Sequence, residues 1–235
     1  MTIASKSVRI YEVKKERENT VKKIISIIIL ASMMLLCLAS CDKQEAPALK
    51  DIDLSEATTI ENVKTSDSET DYVLIDVKDY GKILVRLFPD VAPETVKNFK
   101  KLVSQKFYDG LIFHRVIEDF MIQGGGYTPD MDEKDADSIK GEFTSNGFTN
   151  NLMHFRGVIS MARTSVPDSA SSQFFIMHKT SSHLDGEYAA FGYTVYGMDV
   201  VDDIASVGTD ANDQPRKDVV INSIRFADVS EVTFK

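Results

Sequence analysis

Phe113-His-Arg-Val-Ile-Glu-Asp-Phe-Met-Ile-Gln-Gly-Gly125 joins two short β-rich stretches, Leu111–Val116 and Met121–Gln123, through Ile117-Glu-Asp-Phe120. Gln123 is a polar residue in an otherwise apolar strand. The Gly124-Gly125-Gly126 run is followed by no Lys-Ser/Thr, so it reads as a turn and not as a phosphate cradle. Upstream, Tyr72–Val77 and Ile83–Phe88 alternate in polarity about a turn at Asp79–Lys82. Pro93 suits a first helical turn and Glu94 the positive end of the dipole. Val96, Phe99, Leu102 and Val103 then recur at helical spacing, so a helix is expected over 93–105. Downstream, strands are expected at Gly157–Ala162, Gln173–Met177, Ala190–Tyr193 and Val219–Phe226, with Val232–Phe234 as an extension. A second helix is expected from Met198 to about Ser206. Many short strands and two helices predict a mainly β protein, a barrel capped by helices.

The 235 residues are 43% hydrophobic and 27% charged, enough for one globular domain with added segments. Residues 1–40 carry seven Lys/Arg and three Asp/Glu, which leaves a net charge of −13 on the remainder. An acidic body of this kind excludes nucleic acid as partner, because phosphate binding needs a basic face. Cys37 and Cys41 are the only cysteines, so the body has no disulfide and no cysteine metal site. Its four histidines lack the spacing of a helical metal motif. The acidic stretch Thr128–Lys140 lacks the ligand pattern of an EF-hand and reads as a solvated loop.

The N-terminus reads as an address. Lys22-Lys23 precedes an apolar run from Ile24 to Ala39, short for a membrane-spanning helix but suited to the core of a signal peptide. The run ends in Leu38-Ala39-Ser40-Cys41, which resembles the bacterial lipobox. That resemblance implies lipidation of Cys41, and with it a protein outside the cytoplasm, tethered to the bacterial cell membrane. The expected layout is a signal peptide over 1–40, a lipidated end with a flexible tether over 41–69, and a folded domain over 70–235.

Three segments give the domain a family resemblance. They are Phe113–Gly125, then Gly157-Val-Ile-Ser-Met-Ala162 with Ser172-Gln-Phe-Phe-Ile176, then Leu184-Asp-Gly-Glu-Tyr-Ala-Ala-Phe-Gly192. In order and spacing they resemble the cyclophilin-type peptidyl-prolyl cis/trans isomerases, over about residues 70–235. The resemblance implies a closed eight-stranded antiparallel barrel with two helices, a substrate groove on its outer surface, and no metal or organic cofactor. It implies proline-containing peptides and unfolded protein segments as partners. Nothing in the chain points to an obligate assembly, so a monomer is expected.

The chemistry is the rotation of an X–Pro amide over a barrier of ~18–20 kcal/mol. No bond breaks, so no nucleophile is needed; the catalyst must favour the twisted amide. Arg115 matches the family's catalytic position. A guanidinium there donates to the prolyl nitrogen as its lone pair localises. Phe120, Met121, Phe175 and Leu184 match the walls of the proline slot, while Phe174 should point the other way, into the core. The resemblance implies that Gln123 orients Arg115, that Gln173 lines the groove, and that the backbone of Ala162 pairs with extended substrate. His183 and Tyr188 stand where eukaryotic members often have Trp and His. Arg163, where they commonly have Asn, is a second cation beside the groove that either favours acidic residues before proline or simply faces solvent. His114 is read as structural because no proton moves in the reaction. A non-catalytic peptide-binding module is the alternative in another class.

Overall fold

The computed structural model describes residues 54–57, 59, 60 and 63–235. The expected signal peptide and the expected lipidation site at Cys41 lie outside these residues.

The strands are β1 Lys64–Ser66, β2 Tyr72–Val77, β3 Gly81–Leu87, β4 Phe113–Ile117, β5 Met121–Gly124, β6 Val158–Met161, β7 Phe174–Met177, β8 Ala190–Tyr196 and β9 Ile221–Asp228. Helix α1 spans Pro93–Ser104 and α2 spans Met198–Ala205. Both helices fall where periodicity puts them. The strands form a nine-stranded sheet in the order β1-β9-β2-β3-β8-β6-β7-β5-β4, and every pairing is antiparallel.

The closed eight-stranded barrel implied by the resemblance is corrected here to an open, curled half-barrel of nine strands. Two local features explain the difference. First, β4 meets β9 only near its start, through the single bridge Ile112–Val220 and bonds such as Phe113 N–H to the Val219 carbonyl at 2.9 Å. Beyond that point the Val116 N–H donates to the carbonyl of Asp213, a loop residue, so no continuous ladder closes the seam. Second, the ninth strand comes from 64–66, inside the stretch read as tether. Part of that stretch is docked on the body: Ala57 bridges Phe234, and Glu56 and Lys235 exchange two backbone bonds of 2.9 Å.

Strand alternation sorts the apolar residues onto two faces. One face, with α1 and α2, forms the main core around Phe99, whose ring lies 5.2 Å from Tyr108, 5.2 Å from Phe191 and 5.7 Å from Phe174. The opposite face of β5, β6, β7 and β8 carries a second apolar cluster with Met121, Val158, Phe175, Met177 and Leu184. Phe174 and Phe175 therefore diverge as strand geometry requires.

Helix α1 has no side-chain cap of its own at Ala92. The buried carboxylate of Glu142 serves instead, accepting from Glu94 N–H at 3.0 Å and Thr95 N–H at 2.8 Å. This satisfies two of the orphan donors of the first turn and places a negative charge at the positive end of the dipole. Asn150 holds the same segment from behind, its amide donating to the Glu142 and Ala190 carbonyls.

Candidate active site

The second apolar cluster opens to solvent as a cleft of about 120 Å³. Its lining residues are Arg115, Phe120, Met121, Gln123, Ala162, Arg163, Phe175, Leu184 and Tyr188. Strand register explains how they meet: Arg115 on β4 faces Gln123 on β5, and Gln123 faces Phe175 on β7.

The β4–β5 turn places Phe120. Asp119 is left-handed at φ 61°, and its N–H donates to His178 Nδ1 at 2.9 Å. The Phe120 carbonyl accepts from His178 N–H at 3.0 Å and Lys179 N–H at 3.2 Å. These bonds lock the turn to the end of β7. His183 does not line the cleft; it stacks on Phe120 from outside, with ring centroids 5.7 Å apart. Leu184 comes from a short 3-10 turn, Ser182–Leu184.

Behind the apolar wall lies a buried polar chain that sequence reading missed. His154 Nδ1 is 3.1 Å from the Asp185 carboxylate and Nε2 is 3.0 Å from the Ser160 hydroxyl. Asp185 also accepts the His154 backbone N–H at 2.6 Å. The carboxylate takes Nδ1–H, so Nε2 accepts from the serine. Residue types and order mimic a hydrolytic triad. His154 and Ser160 are both 0% exposed, so no substrate reaches them. The imidazole stacks at 6.0 Å beneath Phe175 and meets Tyr188 edge-on at 6.5 Å, so it supports the cleft wall. Burial lowers its pKa, against the raising effect of Asp185.

Arg115 and Arg163 differ in environment. Arg115 is half-exposed, and among the described residues its ion partner is Asp213, with Nε 3.4 Å from the carboxylate. Arg163 is folded onto the protein. Nε and Nη2 donate to the Glu187 carbonyl at 3.0 and 2.8 Å, and Nη1 donates to the Thr164 carbonyl at 2.9 Å. Its guanidinium lies 4.6 Å from the Tyr188 ring centroid and 4.8 Å from that of Phe143. The resemblance implies that Gln123 orients Arg115, but its Nε2 donates instead to Gln173 Oε1 at 3.0 Å. Gln173 lines an adjoining cleft with Glu133, Thr164, Ser169 and Ser171, which shares Gln123, Ala162 and Arg163 with the first. The Ala162 N–H donates to the Gln173 carbonyl at 2.9 Å. His114, beside Arg115, packs edge-on against Tyr127 at 4.7 Å, and burial first and the Arg115 charge second lower its pKa to about 4. It is neutral near pH 7.

The sequence matches the family model described as cyclophilin type peptidyl-prolyl cis-trans isomerase/CLD over residues 72–226. The chain belongs to the cyclophilin-type peptidyl-prolyl cis-trans isomerases. It is 44% identical over 168 residues to a peptidyl-prolyl cis-trans isomerase of Acinetobacter baylyi, covering 67% of this chain and 87% of that protein. It is 43% identical over 162 residues to peptidyl-prolyl cis-trans isomerase B of Escherichia coli, covering 64% of this chain and 96% of that one. A cyclophilin of Cryptosporidium parvum, solved in the presence of the dipeptide Ala-Pro, superposes with a TM-score of 0.59 at 30% identity, over 66% of this chain and 98% of that one. This cyclophilin is therefore a peptidyl-prolyl cis-trans isomerase, and the cleft is its candidate active site.

Proposed function

We propose that this cyclophilin binds the proline of an extended chain in the cleft and that Arg115 accelerates rotation of the preceding amide. The observation that carries the reading is the composition of the cleft: apolar walls around one half-exposed guanidinium, that of Arg115. Phe120, Met121, Phe175 and Leu184 remove the pyrrolidine ring from water. As the amide twists, resonance is lost and the prolyl nitrogen becomes an acceptor. A guanidinium donor directed there is stronger in the twisted state than in either planar state, which is the condition for lowering the barrier. The group stays charged at any working pH. Ala162 and the neighbouring polar cleft take the residues before the proline, and Tyr188 completes the rim, with His183 stacked behind Phe120. The Ala-Pro dipeptide named for the Cryptosporidium parvum structure supports proline-containing peptides as substrates.

The clients are exported or surface proteins as they fold. Lipidation at Cys41 after removal of residues 1–40 tethers the domain to the bacterial cell membrane, on the outer side, as a monomer. The lipobox-like Leu38–Cys41 supports this reading.

A protease-coupled assay on proline peptides with wild type and Arg115→Ala tests the mechanism. Lost turnover with an unchanged circular dichroism spectrum supports it, and full turnover in the variant rejects it. Mass spectrometry of the mature N-terminus tests the anchor. An unmodified or unprocessed Cys41 rejects it.

A further inference from the structure

Asp213 sits in the loop between α2 and β9, far in sequence from the strands that build the cleft. Three independent features bring it to Arg115. Its carboxylate oxygen lies 3.4 Å from Arg115 Nε. Its carbonyl accepts the N–H of Val116, the residue next to Arg115, at 2.8 Å. Its backbone is left-handed at φ 63°, a conformation that costs a side-chain-bearing residue free energy and that glycine adopts freely. The loop is organised to hold that conformation. The Asp210 carboxylate accepts from Asn212 N–H at 2.8 Å and Gln214 N–H at 3.0 Å, and Thr209 bridges Pro215.

We infer that Asp213 is a positioning residue for the isomerase reaction, engaging Arg115 at Nε so that the two terminal nitrogens of the guanidinium face the cleft. The inference rests on the proposed role of Arg115. A guanidinium on a flexible stem has donors on three nitrogens, and a carboxylate could take two of them in a forked pair. With its shortest contact at Nε, the carboxylate biases the group toward an orientation that turns the outer pair to the amide. The backbone bond to Val116 keeps the carboxylate in register with the arginine it serves. The pair is half-exposed, so its effect on global stability is small. Its effect falls on the population of the productive arginine rotamer, and so on kcat more than on KM.

The test is a double-mutant cycle with Asp213→Asn, Asp213→Gly, Arg115→Ala and the paired variants, read as kcat and KM on proline peptides. Asparagine and glycine both tolerate the left-handed backbone. Each single change at 213 is expected to lower kcat about two- to fivefold with KM nearly constant, and to have no further effect in the Arg115→Ala background. Wild-type kcat in Asp213→Asn and Asp213→Gly would overturn the inference. So would an equal loss in both backgrounds, which would mean that Asp213 acts on the fold and not through Arg115. Full turnover in Arg115→Ala would remove the underlying reading of Arg115 itself, a result distinct from the first two.

Discussion

The two rims of the cleft carry the same functional group in opposite states. On the β4 rim, Arg115 is 42% exposed and is held at one nitrogen. On the rim after β6, Arg163 is 13% exposed and every guanidinium nitrogen donates to a backbone carbonyl. Arg163 also lies against two aromatic rings, so it acts as a brace for Tyr188 and Phe143. A cation with a hydrogen bond at every nitrogen stabilises the wall it touches and has fewer donors left for a ligand. A partly satisfied one is less stabilising and is available for chemistry. The difference lies in the neighbours, because the residue type is the same.

The largest test of that contrast is to remove each arginine. Arg115→Ala is expected to lower kcat/KM about 100-fold with the thermal midpoint unchanged. Arg163→Ala is expected to cost about 2 kcal/mol of stability in urea melts and much less in turnover. Equal behaviour of the two variants in both assays breaks the comparison.

The same contrast holds for carboxylates. Glu142 is buried and bound to two helix N–H groups, whereas Asp213 is half-exposed. Glu142→Gln is expected to cost about 1–2 kcal/mol in a denaturant titration, as a loss of charge at the start of α1. A neutral result would mean that the amide caps the helix equally well.

Acid sharpens the comparison on the β4 rim. His114 titrates at about 4 in the fold against 6.5 ordinarily, and His154 is lowered as well. Between those pH values the unfolded chain binds protons that the fold refuses. Stability is therefore complete above pH 6.5 and falls as pH drops toward 4. His114→Gln is expected to flatten that slope in urea midpoints measured against pH, and an unchanged slope would remove His114 as its cause.

The smallest effect concerns substrate charge. Three of the five N–H donors of Arg163 are committed to backbone carbonyls, so Glu-Pro and Lys-Pro peptides are expected to differ less than about threefold in turnover. A strong Glu-Pro preference that vanishes in Arg163→Ala would show that the guanidinium swings out to substrate.

Much of this was legible from local pattern. Phe174 and Phe175 sort to opposite faces because strand geometry leaves no other option, and α1 follows from the spacing of Val96, Phe99, Leu102 and Val103. Cleft membership was legible through the motif that joins Phe113–Gly125 to Gln173–Phe175. What was not legible depends on contacts remote in sequence. Asp213 meets Arg115, and Ser160 meets His154 while Asp185 closes the chain, with no periodicity to announce either group. The stretch 54–69 looked like tether because it is polar and irregular. Its described residues pair with parts of the chain remote in sequence, Ala57 with Val195 and Phe234 and β1 with β9, which no local window contains.

That pairing of Glu56 with Lys235 bears on how the domain responds to load. A pull on the chain upstream of residue 54 meets the packing of Leu54 on the apolar cluster of the cleft, the two Glu56–Lys235 bonds and the Ala57 N–H bond to the Val195 carbonyl of β8. Each residue released would add up to ~3.6 Å of chain, and release of Leu54 would uncover part of the apolar cluster beneath the cleft.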